Sequence, residues 1–183
     1  AHAIIDESVI HKILRTSSGK LLKFYGPSRR YAEINGMLGY SINAANAIAA
    51  IFSATGQDLA SIPESSIVEL TLQKHPKGLE LHLIMHGLVI GTIGGGTHLP
   101  KQKEALQLMK CYGANKIERF ASLIAGFTLG LELSTYAAMV SGEFAKAHEK
   151  LGRNKRYSRE IFLVVIGARR CHFLSPSSKF LLE

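Results

Sequence analysis

The sequence predicts an α+β fold in which long central helices pack on a small antiparallel sheet. Three observations predict it. An alanine-rich run over residues 43–56 repeats apolar side chains at the helical period. A longer run over residues 117–151 does the same. Two β-patterned runs, 67–72 and 79–85, flank His75-Pro76-Lys77-Gly78, a sequence suited to a hairpin loop. The chain has 183 residues, 46% apolar and 20% charged, enough for one domain with a core and too apolar for disorder.

Taken in order, residues 1–5 alternate weakly and predict a short strand. Residues 6–16 carry Val9, Ile10, Ile13 and Leu14 at the helical repeat, with Asp6 as N-cap and Glu7 favourable in the first turn. Gly19 is the expected stop. Gly26, Pro27 and Ser28 mark residues 24–30 as a loop. The Arg29-Arg30 pair there is either an anion contact or ordinary solvated charge. In the helix at 43–56, small residues on several sides imply close packing by neighbours. Asn43 and Asn46 inside it are core hydrogen-bonding groups or ligand contacts. Gly56 ends that helix. Asp58, just beyond, is a local turn former or a carboxylate aimed into a pocket.

The stretch Gly91-Thr92-Ile93-Gly94-Gly95-Gly96-Thr97 follows the apolar run 79–90. Three consecutive glycines strip side chains from the backbone, so another molecule can lie against the peptide groups and their N–H donors. A tight strand-to-helix turn that binds nothing accounts for the same residues, and the stretch is neither GxGxxG nor a P-loop. Residues 100–112 predict an amphipathic helix with Leu106, Leu108 and Met109 inward. In the run 117–151, Gly126 and Gly130 lie four apart and suggest a groove that accepts another backbone. His148 lies one helical repeat from Phe144 and Val140, as a packing residue or as a catalyst, with Arg153-Asn154-Lys155-Arg156 close behind. Residues 161–166 could add an edge strand, and 175–178 look loose.

The formal charge of +8 fits nucleic acid, an acidic membrane or a polyanionic small molecule. With no long Lys/Arg run, few aromatics and no Trp, nucleic acid is not expected. Cys111 and Cys171 give no disulfide framework and no CxxC, so a reducing, cytoplasmic setting is expected. Ala1-His2-Ala3 lacks a Met and a signal pattern, which reads as a processed or excised piece. Residues 121–140 include Glu132 and small polar residues, a buried helix rather than a membrane span. No metal site is expected, since no carboxylate pair has ligand spacing, and there is no GxSxG.

Several stretches together resemble the C-terminal part of the catalytic region of 3-hydroxy-3-methylglutaryl-CoA reductase. They are Val9-Ile10-His11-Lys12-Ile13-Leu14-Arg15-Thr16, Asn43-Ala44-Ala45-Asn46 running through Ala54-Thr55-Gly56-Gln57-Asp58, and Ile90 to Thr97 with Leu99, Pro100 and Gln102. Gly130-Leu131-Glu132-Leu133-Ser134 and Ala145-Lys146-Ala147-His148 continue the order. The match covers about residues 2–156, leaving 157–183 as a basic tail of unassigned role.

The resemblance implies a fold similar to part of the family's large substrate-binding domain. It also implies NADPH-dependent reduction of a CoA thioester to mevalonate for isoprenoid biosynthesis. Asp58 matches the active-site aspartate and His148 the histidine that protonates the departing thiolate. Asn46 matches a substrate-contacting asparagine. Ile93, Gly94 and Gly95 match the backbone that approaches the nicotinamide, with Gly96 and Thr97 completing the stretch. The family's site forms between two subunits, so a homodimer is expected, or association with a chain that carries the missing catalytic segments.

This sequence also departs from the family. The segments bearing its catalytic lysine and glutamate, and its small cofactor domain, precede or interrupt the matched part and are not present. Asn43 stands where the family usually has a histidine, and Gly152 where it has an asparagine. Arg29 or Arg30 is the stand-in for the lysine at the substrate. On this reading the isolated chain is expected to be inactive or nearly so. A non-redox relative that binds an acyl thioester, or a non-catalytic interaction protein, is the alternative. The reductase reading expects the glycine turn, Asp58 and His148 to face one cleft.

Overall fold

The computed structural model describes residues 1–150, 163–167 and 170–174. The chain separates into two compact units, Ala1–Phe144 and Ala145–Glu183. The domain boundary expected at residue 156 lies outside the described residues.

The predicted hairpin forms. Strand β2, Val68–His75, pairs antiparallel with β3, Gly78–Met85, with His75 opposite Gly78 across the turn. Strand β1, His2–Asp6, joins the far side of β3, so the order is β1-β3-β2. Alternation along the strands sorts the side chains by face. Leu79, Leu81 and Leu83 on β3, and Val68, Leu70 and Leu72 on β2, enter the core. Glu80, His82 and Ile84 stand on the opposite face. The outer edge of β2 is partly covered, because Tyr40 N–H donates to Val68 O and Leu70 N–H donates to Tyr40 O.

Helix α1, Glu7–Leu14, follows β1 directly. Asp6 occupies the predicted N-cap position but makes no capping hydrogen bond. Glu7 reaches forward instead, accepting from the Ser18 N–H at 3.1 Å. The helix ends at Arg15, which adopts the left-handed conformation at φ 53°, and not at Gly19. Gly19 lies in the first turn of α2, Ser18–Ile34, capped by Ser17 accepting from Lys20 N–H.

The loop expected over residues 24–30 is instead the middle of α2, with Pro27 inside the helix. Tertiary contacts override the local turn signals. Leu21, Tyr25 and Ala32 are buried in the main core, and Tyr25 OH donates to Leu70 O at 3.0 Å. Arg29 reaches Glu33 at 2.9 Å and Glu69 at 2.7 Å, tying the helix to β2.

Helix α3, Ala44–Thr55, runs as predicted from Asn43 to Gly56, which caps it at φ 69°. A 3-10 turn, Leu59–Ser61, and the short α4, Ile62–Ser65, lead to β2. The glycine stretch ends in a second 3-10 turn, Gly95–His98, before α5, Pro100–Leu108. Leu106 is buried as expected, but Leu108 is 86% exposed. Two residues along a helix turn the side chain about 200° away, so Leu106 and Leu108 cannot share the inner face.

Helix α6, Ile117–Val140, is shorter than the predicted 117–151. Ser141 caps it, Gly142 takes φ 75°, and α7, Glu143–His148, begins anew. The periodic stripe from Val140 to His148 is therefore not one helical face. Gly126 and Gly130 are exposed, and no atom comes within 4 Å of a Cβ built on either. The expected glycine groove receives no backbone among the described residues. By length and composition α6 could cross a membrane. Here it packs Phe120 and Ile124 against α3 and α5, and Leu129, Tyr136 and Ala137 into the main core.

In the second unit, β4, Leu163–Gly167, pairs antiparallel with β5, Arg170–Leu174. The apolar run expected to add an edge strand thus forms a separate two-stranded sheet.

Candidate functional site

Two glycines bring the end of α3 and the glycine stretch into direct contact. A Cβ on Gly56 would stand 2.4 Å from Gly96 O, and one on Gly96 would stand 2.7 Å from Gly56 O. Only residues without a side chain allow the two backbones this close. The preceding α3 supplies the geometry: its last turn requires a left-handed residue, and Gly56 N–H closes it on Phe52 O.

Gln57 locks the arrangement. Its Oε1 accepts from Gly91 N–H at 2.7 Å, and its Nε2 donates to Gly91 O at 3.0 Å and Thr55 O at 3.2 Å. One buried amide thus satisfies both backbone groups of Gly91, as an adjacent strand would. Thr92 fixes the next residue, donating through Oγ1 to Gly113 O at 2.9 Å. Thr97 closes the other end, donating to Gly94 O at 2.6 Å.

Between these clamps Gly94 and Gly95 take φ 78° and 52°, with open space where their Cβ atoms would be. Ile93 is exposed beside them. Asp58 follows Gln57 on the surface, its Oδ1 accepting from Ala60 N–H at 3.0 Å. The local-turn role of Asp58 is therefore real, and a carboxylate oxygen can accept a further partner. Gly56, Asp58, Gly95 and Gly96, with Phe52 and Leu99, line an open hollow of about 400 Å³.

The other expected site residues of the first unit lie outside this hollow. Asn46 is exposed in the first turn of α3, and its amide donates to Asn43 Oδ1. Asn43 in turn donates to Thr135 Oγ1 at 3.1 Å. None of these residues lines the hollow. Arg29 and Arg30 sit on α2. Arg29 is engaged by Tyr25 OH as well as by Glu33 and Glu69, and these partners hold its guanidinium more firmly protonated than usual. His148 ends α7 in the second unit, and Gly152 lies outside the described residues.

Sequence reasoning missed the role of Glu132. This side chain is fully buried on α6 and accepts the Ile42 N–H at 2.8 Å and the Asn43 N–H at 2.5 Å. It meets the amide-rich start of α3, where a carboxylate is favoured by the helix dipole. Burial pushes its carboxyl above the ordinary range, and the backbone donors oppose that push. The signal was present: a single carboxylate in a long apolar run needs a partner inside the protein.

A family model described as hydroxymethylglutaryl-coenzyme A reductase matches residues 1–153. The 3-hydroxy-3-methylglutaryl-coenzyme A reductase of Methanocaldococcus jannaschii is 36% identical over 159 residues, covering 84% of this chain and 38% of the relative. That of Pyrococcus horikoshii is 35% identical over 160 residues, covering 84% and 39%. Reductase 1 of Hevea brasiliensis is 35% identical over 164 residues, covering 84% and 28%. The chain thus spans less than two fifths of the length of these relatives.

Proposed function

Because the chain belongs to the hydroxymethylglutaryl-coenzyme A reductase family, we propose that it forms the part of a reductase core that meets the CoA thioester and the nicotinamide. The reaction is NADPH-dependent reduction of hydroxymethylglutaryl-CoA to mevalonate, in the cytoplasm and in the service of isoprenoid synthesis. The observation that carries this reading is the seating of the glycine stretch against Gly56, with Asp58 beside the same hollow.

The residues present fit a flat nicotinamide ring. Gly94 and Gly95 leave open the space that side chains would otherwise fill, and both take the left-handed φ that favours glycine. When bound, NADPH supplies hydride to the thioester carbonyl. The chain's own part is to hold, screen and protonate. Ile93 offers apolar surface that excludes water from the ring, while Gln57 keeps the loop in register. Asp58 sets the charge and proton position near the reacting carbonyl. His148 protonates the departing CoA thiolate, a task suited to an imidazolium near neutral pH. Asn46 contacts the acyl group. Arg29 is already committed to two carboxylates, so the oxyanion donor falls to Arg30 or to a residue of another chain or segment. The active unit is a dimer, or a complex with a chain that carries the lysine and glutamate.

The test is binding to the 183-residue chain, read by NADPH fluorescence and by calorimetric titration with hydroxymethylglutaryl-CoA. Binding of both, lost in Gly95→Val while circular dichroism stays native, supports the reading. Thioester binding with no NADPH response points to a non-redox relative. Binding of neither ligand by the folded chain overturns the proposal.

A further inference from the structure

We propose that His2, Glu80 and His82 form a site for one divalent transition metal ion with zinc-like ligand preference. The sheet assembles it. His82 is the cross-strand partner of His2, and Glu80 stands two residues earlier on the same face of β3. That face is opposite the core. Ile4 and Ile84, on its two strands, flank the cluster and are 44% and 55% exposed.

The donor atoms already converge. Oε1 of Glu80 is 3.0 Å from Nε2 of His2 and 3.1 Å from Nε2 of His82. One ligand atom from each of the three residues lies within 4.8 Å of the others. Two ligands bound at about 2.0–2.2 Å to one tetrahedral zinc are about 3.3 Å apart, so these separations suit a shared ion. Two imidazole nitrogens and a carboxylate oxygen are the donor set of zinc sites that keep an open position for water.

At present the same atoms make hydrogen bonds to one another. A metal would take the place of the protons between them, since imidazole binds a metal in its neutral form. Glu80 is suited to the role because hydrogen bonds from His2, and then from His82, hold its carboxyl below the usual range. The two imidazole rings are stacked, with centroids 4.5 Å apart and planes 19° from parallel. Stacked rings aim their lone pairs side by side, so loading must turn one of them. His2 has the freedom to do so, its side chain being 50% exposed. The three ligands are not neighbours in sequence: Glu80 and His82 acquire their third partner from a strand nearly eighty residues away.

The experiment titrates zinc(II) alone into the chelator-stripped, full 183-residue chain and reads heat. The expected result is one saturable equivalent. Glu80→Gln and His82→Asn should each weaken it by at least the about ten- to hundredfold that losing an outer partner of a metal ligand costs. His86→Asn and Cys171→Ser should leave it unchanged. Because a variant can fail to fold, NMR of the wild-type chain reads the same point without mutation. Shifts of the His2 and His82 ring signals on adding zinc support the site. Absence of saturable binding, equal binding by folded Glu80→Gln and His82→Asn, or shifts confined to other histidines would each overturn it.

Discussion

Glu132 joins two helices through a single fully buried carboxylate. Replacing it with Ala leaves the Ile42 and Asn43 amides without an acceptor, at a cost of about 3 kcal/mol. Urea unfolding should show that loss, and Glu132→Gln, which keeps one acceptor oxygen, should lose less. Gly56→Ala forces a methyl to within 2.4 Å of a carbonyl at a left-handed φ, and about 2 kcal/mol or more should be lost in the same assay. At this scale the sequence revealed the glycines and Asp58, because backbone permissiveness and chain order are written locally. It did not reveal the part played by Gln57. An amide that clamps Gly91 from thirty-four residues away leaves no periodic trace.

Among the elements, α2 shows how a local signal can be outvoted. Gly26, Pro27 and Ser28 favour a turn, yet Leu21, Tyr25 and Ala32 give the helix a buried stripe. Pro27 cannot donate to the carbonyl four residues back. Pro27→Ala should therefore stabilise the protein by about 1–2 kcal/mol, the restored helical bond outweighing the freer unfolded chain. A higher midpoint in thermal unfolding would show it, and a lower midpoint would mean that the proline fits a bend the helix needs. The hairpin was legible because alternation and the turn at His75 to Gly78 agree. The end of α6 was not, because apolar periodicity continues past Ser141 while Gly142 quietly takes the left-handed conformation. Gly142→Ala should cost about 1 kcal/mol, again by urea unfolding.

For the whole molecule, the main core holds three tyrosines in contact: Tyr25, Tyr40 and Tyr136. Tyr136 OH donates to Tyr40 OH, and burial raises the pKa of both above the ordinary tyrosine value. The folded state therefore keeps these protons after the unfolded chain has released them. Their contribution is complete below pH about 10 and falls as pH rises beyond it. Denaturant midpoints at successive alkaline pH values should decline, and Tyr136→Phe should flatten that decline. The α+β class, the short first strand and the pairing of β2 with β3 could be read from the sequence, but the docking of β1 on β3 could not, since their partners lie more than seventy residues apart. Part of the site was legible, since the glycine stretch and Asp58 share a hollow. Gly56 and Gly96 abut with no slack, and Gln57 grips Gly91 at both its donor and its acceptor. The glycine stretch and the helix behind it must then travel as one solid piece. Slow amide hydrogen exchange at Gly91, matching the interior of α3, would register that stiffness, and any closure over a guest has to be made by parts that approach this anvil from outside.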